Sequence, residues 1–391
     1  MSGMNVYIVN TNSRIDGFES RVCQLALGDE SISQRIARQL TQSNINYQKI
    51  SSDQNLDLEG KIIFFDDTVY SDTLVKYILK NNLKYSITER TQINQAWNSS
   101  FCKWGQEIWE NLPFKSFGPV LENKPIIVID LNLPEKIYGT DRFVAAAPEF
   151  FYQKISDWPD LLKAQSLCAR ELSGINAKKL KPFFSDQFIL RLSENSFFRK
   201  FSNKIGKNCR IHPTAIIEGS CLGDNVEIGP YCFIRASTIG SDTTVREHSS
   251  IKMSTIGAGS YILPCDILNS YLGEQTCITT SILFHTVIGS GTFLGGAVGF
   301  ADLNANRSFI QLDQSHGNKT ESDQIFLGSM VAENCFIGAG LLFHSGQRIA
   351  HSTTILNQNM IQKSDFKSGR TYVARSDKLI SIPQQFIERN K

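Results

Sequence analysis

The chain has 391 residues, 41% of them hydrophobic and 20% charged, which suffices for two or three globular domains with a substantial core. A formal net charge of +2 gives no reason to expect a polyanion-binding surface, so nucleic acid is excluded as the expected partner. No uninterrupted apolar run reaches membrane-spanning length, and the opening Met1-Ser2-Gly3-Met4-Asn5 lacks a basic, apolar leader. A cytoplasmic protein without a membrane partner is therefore expected.

In chain order, Asn5-Val6-Tyr7-Ile8-Val9 predicts a strand, and residues 30–40 carry helical periodicity. Lys61-Ile62-Ile63-Phe64-Phe65 predicts a second strand that ends at Asp66-Asp67 and is followed by a helix near 71–80. Lys124–Ile129 predicts another strand. Strands alternating with helices imply an α/β domain with a mainly parallel sheet, expected over residues 1–172. Asp66 or Asp67 stands at a strand end, where a carboxylate could hold Mg²⁺. The same position equally suits a helix cap or turn former. Residues 173–204, rich in Lys and Phe, are expected to form a linker.

From Ile205 the period changes. Aliphatic residues recur every five or six positions: Ile205, Ile211, Ile216, Leu222, Ile228, Ile234, Ile239, Val245, and onward to Leu294. A second run, from Ile325 through Val331, Ile337, Phe343, Ile349 and Ile355 to Ile361, steps by six. A helix face would repeat every three to four residues and a strand every two, so neither fits. Six fits a triangular solenoid, in which each short strand sends one aliphatic inward and three strands close a coil. An antiparallel sandwich would need hairpin signals every 8–12 residues, and these are missing. Glycine follows the aliphatic once per coil, at Gly206, Gly223, Gly240, Gly257, Gly273 and Gly289, where positive φ at a tight corner is the expected reason. The solenoid is expected over 205–363, broken by one loop at 301–324 and followed by a tail at 364–391. The nine cysteines form no C-x-x-C pair and no zinc spacing.

The segments Leu222–Glu227 (L-G-D-N-V-E) and Ile228–Phe233 (I-G-P-Y-C-F) resemble the [LIV]-G-x-x-x-x repeat of hexapeptide transferases. That resemblance, not the spacing, implies a left-handed parallel β-helix and a homotrimer with sites where neighbouring helices face one another. Trp158-Pro159-Asp160-Leu161-Leu162 is similar to the "P-W-D-L-L" segment that joins the catalytic domain of sugar-1-phosphate nucleotidylyltransferases to their β-helix. Together these features resemble the bifunctional sugar-1-phosphate nucleotidylyltransferase/acetyltransferase family. The implied first domain is a nucleotidylyltransferase-like (Rossmann-like) α/β fold. It is degenerate, because the segment Asn10–Gly17 replaces the family's G-x-G-T-R phosphate loop with only Arg14 and a late glycine.

The loop at 301–324 is similar to the family's "A-D-L" insertion, and long loops on rigid scaffolds tend to carry function. Acyl transfer from a thioester to an amine needs a base and oxyanion donors. Of the six histidines, His285 resembles the position of the family's catalytic histidine. His316 in the loop and His344 on a later coil are the other candidate bases, and His212 reads as structural. Asn304, Asn306, Arg307 and Lys319 are candidate ligands for a small-molecule acceptor carrying phosphate or carboxylate. By resemblance, Gly328, Ser329 and Gly346 would offer backbone amides to the pantetheine arm of an acyl-CoA co-substrate. An acyl-CoA-dependent acyltransferase on an amino sugar or nucleotide-sugar-like acceptor is the expected function. A Mg²⁺-dependent nucleotidylyltransferase and a non-catalytic assembly or regulatory subunit are the alternatives.

Overall fold

The fold is that of a computed structural model, which describes residues 6–27, 29–51, 61–80, 152–172, 203–306, 308–313, 319–322, 324–356, 370–375 and 378–383. The strand expected at Lys124–Ile129, the loop residues Arg307 and His316, and nearly all of the 173–204 segment lie outside the described residues.

The N-terminal domain is built as its periodicity predicts. Strand β1 (Val6–Asn10) is the centre of a parallel sheet, flanked by β2 (Tyr47–Ser51) and β3 (Ile62–Phe65). Helix α1 (Ile32–Gln42) links β1 to β2. It starts two residues later than its periodicity suggests because Ser31 and Gln34 form a capping box, in which the Ser31 side chain accepts from the Gln34 N–H. Strand β4 (Thr68–Tyr70) leads into helix α2 (Asp72–Lys80) and pairs antiparallel with β5 (Tyr152–Lys154), which precedes helix α3 (Trp158–Leu172).

The second domain is a parallel β-solenoid. Its strands stack into a first sheet of eight, from Lys204–Ile205 to Arg348–Ile349; a second of eight, from Arg210–Ile211 to Thr354–Ile355; and a third of seven, from Ile216–Glu218 to Leu342–Phe343. The inward residues fall in vertical register, for example Leu222, Ile239, Ile256, Leu272, Ile288 and Val331 in the first sheet. They form one continuous core, nearly all of it excluded from solvent.

Three readings of the repeat are corrected. Ile216 points outward at 45% exposure, and Ile217 takes its rung by pairing in register with Ile234. Ile325 is likewise exposed, so the interruption runs from 301 to 329 and the coils resume with strand Met330–Val331. The repeated glycines do not have positive φ. That conformation belongs to Asn208, Asn225, Asp242, Gly259, Gln275, Gly291 and Asn334 at the next corner position. Gly206, Gly223 and their successors are required by close approach: a Cβ on Gly257 would lie 2.4 Å from the Glu274 backbone nitrogen of the coil above. The tail contains an antiparallel strand pair, Arg370–Arg375 with Lys378–Pro383.

The two domains share a core. The outward residues Tyr271, Val287 and Met330 of the first sheet are buried in the same apolar cluster as β1, β3, α1 and Trp158, and α3 packs across strands Tyr271–Leu272 and Val287–Ile288. Each such side chain contributes about 1.5–3 kcal/mol when fully buried, so the α/β domain is fixed to this face. The first of the three solenoid faces is therefore covered from within the chain.

Candidate active site

The interruption leaves the solenoid at the corner between the third and first sheets. On that corner Gly219, Ala236, Met253, Asn269 and His285 all take positive φ, which turns the chain out of each third-sheet strand. His285 follows strand Ile282–Phe284 and is half-buried. Its Nδ1 lies 2.9 Å from Asp302 Oδ2, and the two residues are 17 positions apart. Seventeen is also the coil length between paired rungs such as Ile211 and Ile228, so Asp302 sits directly above His285. An ionised carboxylate only accepts hydrogen bonds, so Nδ1 is the donor in this pair, and in the neutral imidazole that tautomer leaves Nε2 as the acceptor. Phe326, returning from the insertion, stacks on the imidazole with centroids 6.0 Å apart. The Leu327 N–H donates to the Asp302 carbonyl at 2.8 Å, closing the base of the loop.

Within the insertion, Gln311–Asp313 and Lys319–Glu321 form an antiparallel hairpin folded back on the corner at residues 344–347. Asp313 N–H donates to the Gly346 carbonyl at 3.0 Å, and a Cβ on Gly346 would collide with the Gln311 carbonyl oxygen. Between hairpin and corner lies an open cavity of about 340 Å³, lined by Asn304, Gln311, Lys319, His344, Ser345 and Gln347 together with Asp313. Asn304 Oδ1 accepts from Ser345 Oγ at 3.1 Å, and Lys319 is 3.5 Å from Asp313. Among the described residues every lining side chain carries a polar group, and the one Lys is matched by one Asp.

The structure thus brings Asn304, Lys319 and His344 together at the cavity and pairs His285 with Asp302. Asn306 faces solvent, its side chain accepting from the Ser308 N–H at 3.1 Å. The backbone between the two groups is continuous. Gly328 N–H donates to the His285 carbonyl at 3.0 Å, Gly346 N–H donates to the Gly328 carbonyl, and Ser329 Oγ donates to the His344 carbonyl at 2.7 Å. The amides of Gly328 and Gly346 therefore close the coil, and the Ser329 hydroxyl ties it to the His344 carbonyl. The loop pattern at 301–324 does not by itself single out Asp302 as the partner of His285. One coil length counted upward from His285 locates it.

Asp66 and Asp67 are both buried. Asp66 Oδ1 accepts from the Thr11 N–H and hydroxyl at 2.9 Å, and Asp67 accepts from Ser13 Oγ at 2.9 Å and Thr68 Oγ1 at 3.0 Å. Burial, reinforced by the Asp67 charge, pushes the Asp66 carboxyl above its ordinary value despite the Thr11 hydrogen bonds. Both carboxylates thereby order the loop after β1, and a hard cation there would need further oxygen ligands. Among the described residues no three His, Cys, Asp or Glu side chains are grouped to hold one.

Residues 204–236, the first two coils, match the bacterial transferase hexapeptide (six repeats) family. No curated protein matches the chain in sequence. One similar solved structure is that of the polysialic acid O-acetyltransferase OatWY, with 16% sequence identity, covering 48% of this chain and 91% of that one at a TM-score of 0.16. That score is too low to bear on fold or function. No helix among the described residues is long and apolar enough to cross a membrane.

Proposed function

We propose that the protein is an acyl-CoA-dependent acyltransferase acting on an amino sugar or nucleotide-sugar-like acceptor. The observation that carries this reading is the His285–Asp302 pair, on the same solenoid corner as the cavity of Asn304 and His344 and joined to it through the Gly328 backbone. Asp302 fixes the imidazole tautomer, and Nε2 removes the proton from the acceptor's amine or hydroxyl as that group attacks the thioester carbonyl. The tetrahedral intermediate collapses by breaking the C–S bond. The imidazolium returns its proton to the departing thiolate, so the products are the acylated acceptor and free CoA. The acceptor occupies the cavity of Asn304, Lys319, His344 and Gln347, and the acyl-CoA lies along the coils beside it.

The chain acts as a homotrimer in this proposal. The α/β domain covers the first solenoid face, so the partner subunits pack against the second and third, where Tyr261, Phe336, Ile282 and Leu342 are exposed. The nucleotidylyltransferase alternative finds less support, since Asp66 and Asp67 are used within their own loop.

The test is release of free CoA from acetyl-CoA in the presence of a panel of amino sugars and nucleotide sugars, with His285→Gln as the control. Acceptor-dependent release that the substitution abolishes supports the proposal. Pyrophosphate release from a nucleoside triphosphate and a sugar phosphate would replace it with the alternative. Absence of both activities, with a stable hetero-complex in pull-down, would favour a non-catalytic subunit.

A further inference from the structure

The segment after β1 stands where a phosphate loop would lie in the families the sequence resembles, yet its residues 16–20 are engaged by the solenoid. The buried carboxylate of Glu333 accepts from two successive backbone amides, Glu19 N–H at Oε2 and Ser20 N–H at Oε1, each at 3.0 Å. The Gly17 carbonyl accepts from His351 N–H at 2.9 Å. Asp16 pairs with Arg348. Gly17 lies so close to Met330 that an added Cβ would be 3.0 Å from the Met330 methyl. All of these partners lie in the coils resumed after the insertion. On the other side, Thr11 and Ser13 hold the same segment to Asp66 and Asp67.

Those coils also form the wall of the candidate cavity. Arg348 directly follows Gln347, a lining residue, and the Gln347 carbonyl accepts from Met330 N–H at 2.8 Å. We propose that the loop after β1 is a clamp, and that Glu333 and Arg348 are positioning residues through which it holds the corner His344–Gln347 in place. A buried carboxylate satisfied by two main-chain donors is geometrically demanding, since losing either side leaves charged or polar groups unpaired in the interior. The α/β domain thereby acts as a buttress for the solenoid site, using the backbone that would otherwise cradle a phosphate. The kinetic part of this inference rests on the proposed acceptor cavity; the structural part does not.

The test is native-state hydrogen exchange on the full chain carrying Glu333→Ala or Asp16→Asn. The Asp16 side chain is 39% exposed, so its amide replacement leaves folding intact. In both variants the amides of 17–20 should exchange faster, and those of Met330, Gly346 and His351 should follow by about tenfold, while coils at 239–262 stay unchanged. If acyl transfer is present in the wild type, KM for the acceptor should rise about tenfold with kcat within about twofold, and Glu333→Gln should restore part of the loss. Opening of 17–20 with Gly346 and Met330 still protected would overturn the clamp, as would no opening at all. Absence of acyl transfer in the wild type would refute the proposed function alone, leaving exchange to decide the clamp.

Discussion

Two glycines two residues apart separate the requirements of the solenoid corner. Gly257 has ordinary φ, but a Cβ there would stand 2.4 Å from Glu274 N and 2.4 Å from Gly273 C, main-chain atoms of the next coil. Neither can move without lengthening the bond from Gly257 N–H to the Leu272 carbonyl, now 2.8 Å, and the rungs on either side. Overpacking a rigid backbone costs about 3 kcal/mol or more, the upper end of the usual range. Gly259 has φ +67°, and the nearest atom to its added Cβ is the flexible Gln275 Cγ at 3.5 Å. Gly259→Ala should therefore cost only the left-handed backbone preference, roughly 1–2 kcal/mol. Gly259→Asn should cost less still, because Asn225 and Asn334 occupy the same corner at φ 58° and 55°. Urea denaturation followed by circular dichroism should place Gly257→Ala well below both Gly259 variants in midpoint. Equal losses, or a greater loss for Gly259→Ala, would refute the close-approach account of the glycine repeat.

Other outcomes follow from particular contacts. Gly346→Ala would drive a Cβ into the Gln311 carbonyl, at a backbone φ of +74°. The hairpin should therefore lift, and limited proteolysis should cut within 301–329 faster than in the wild type. Arg35 is buried beside Glu30 and Asp72, which both keep Arg38 as a partner, so Arg35→Met should destabilise the protein by about 1.5–3 kcal/mol through the lost charge-assisted hydrogen bonds, read as a lowered denaturation midpoint. Burial raises the Asp72 carboxyl, but hydrogen bonding from Gln39 and the charges of Arg35 and Arg38 outweigh it and hold the group below 3.8. Its stabilisation is thus present above the unfolded value and lost as pH falls from about 3.8 through the folded value. Asp72→Asn should flatten that part of the acid-stability curve; an unchanged slope would count against the network.

The solenoid was legible because its signal is repeated: an aliphatic recurs every five or six residues, and single deviations such as Ile216 barely weaken it. Local shifts were not legible. Whether Ile216 or Ile217 faces inward depends on how many residues the preceding corner consumes, and two adjacent isoleucines carry no mark of that. Phe300 stands one six-residue step beyond Leu294 and holds a rung of the third sheet by stacking on Phe343 at 5.1 Å, an aromatic at a position the aliphatic run alone does not mark. The α/β elements were found from apolar runs, whereas their attachment to the solenoid was not. Tyr271, Val287 and Met330 alternate with inward rungs and look like surface residues until a second domain covers them. His285 was visible as a candidate, while Asp302 required the coil length to be used as a ruler. The cavity escaped because the hairpin that closes it is set by Gly346, far along the chain.

The proposed function stands most directly on the pairing of His285 with Asp302. Steady-state acyl transfer should be measured for His285→Gln, Asp302→Asn and the double variant, with the competent acceptor and acetyl-CoA. Each single variant should lower kcat by about 10²–10⁴-fold with KM for acetyl-CoA little changed, and the double variant should lose little more than the worse single one, as for residues acting as one unit. Retention of wild-type kcat in His285→Gln, or losses that multiply in the double variant, would contradict a base oriented by its carboxylate.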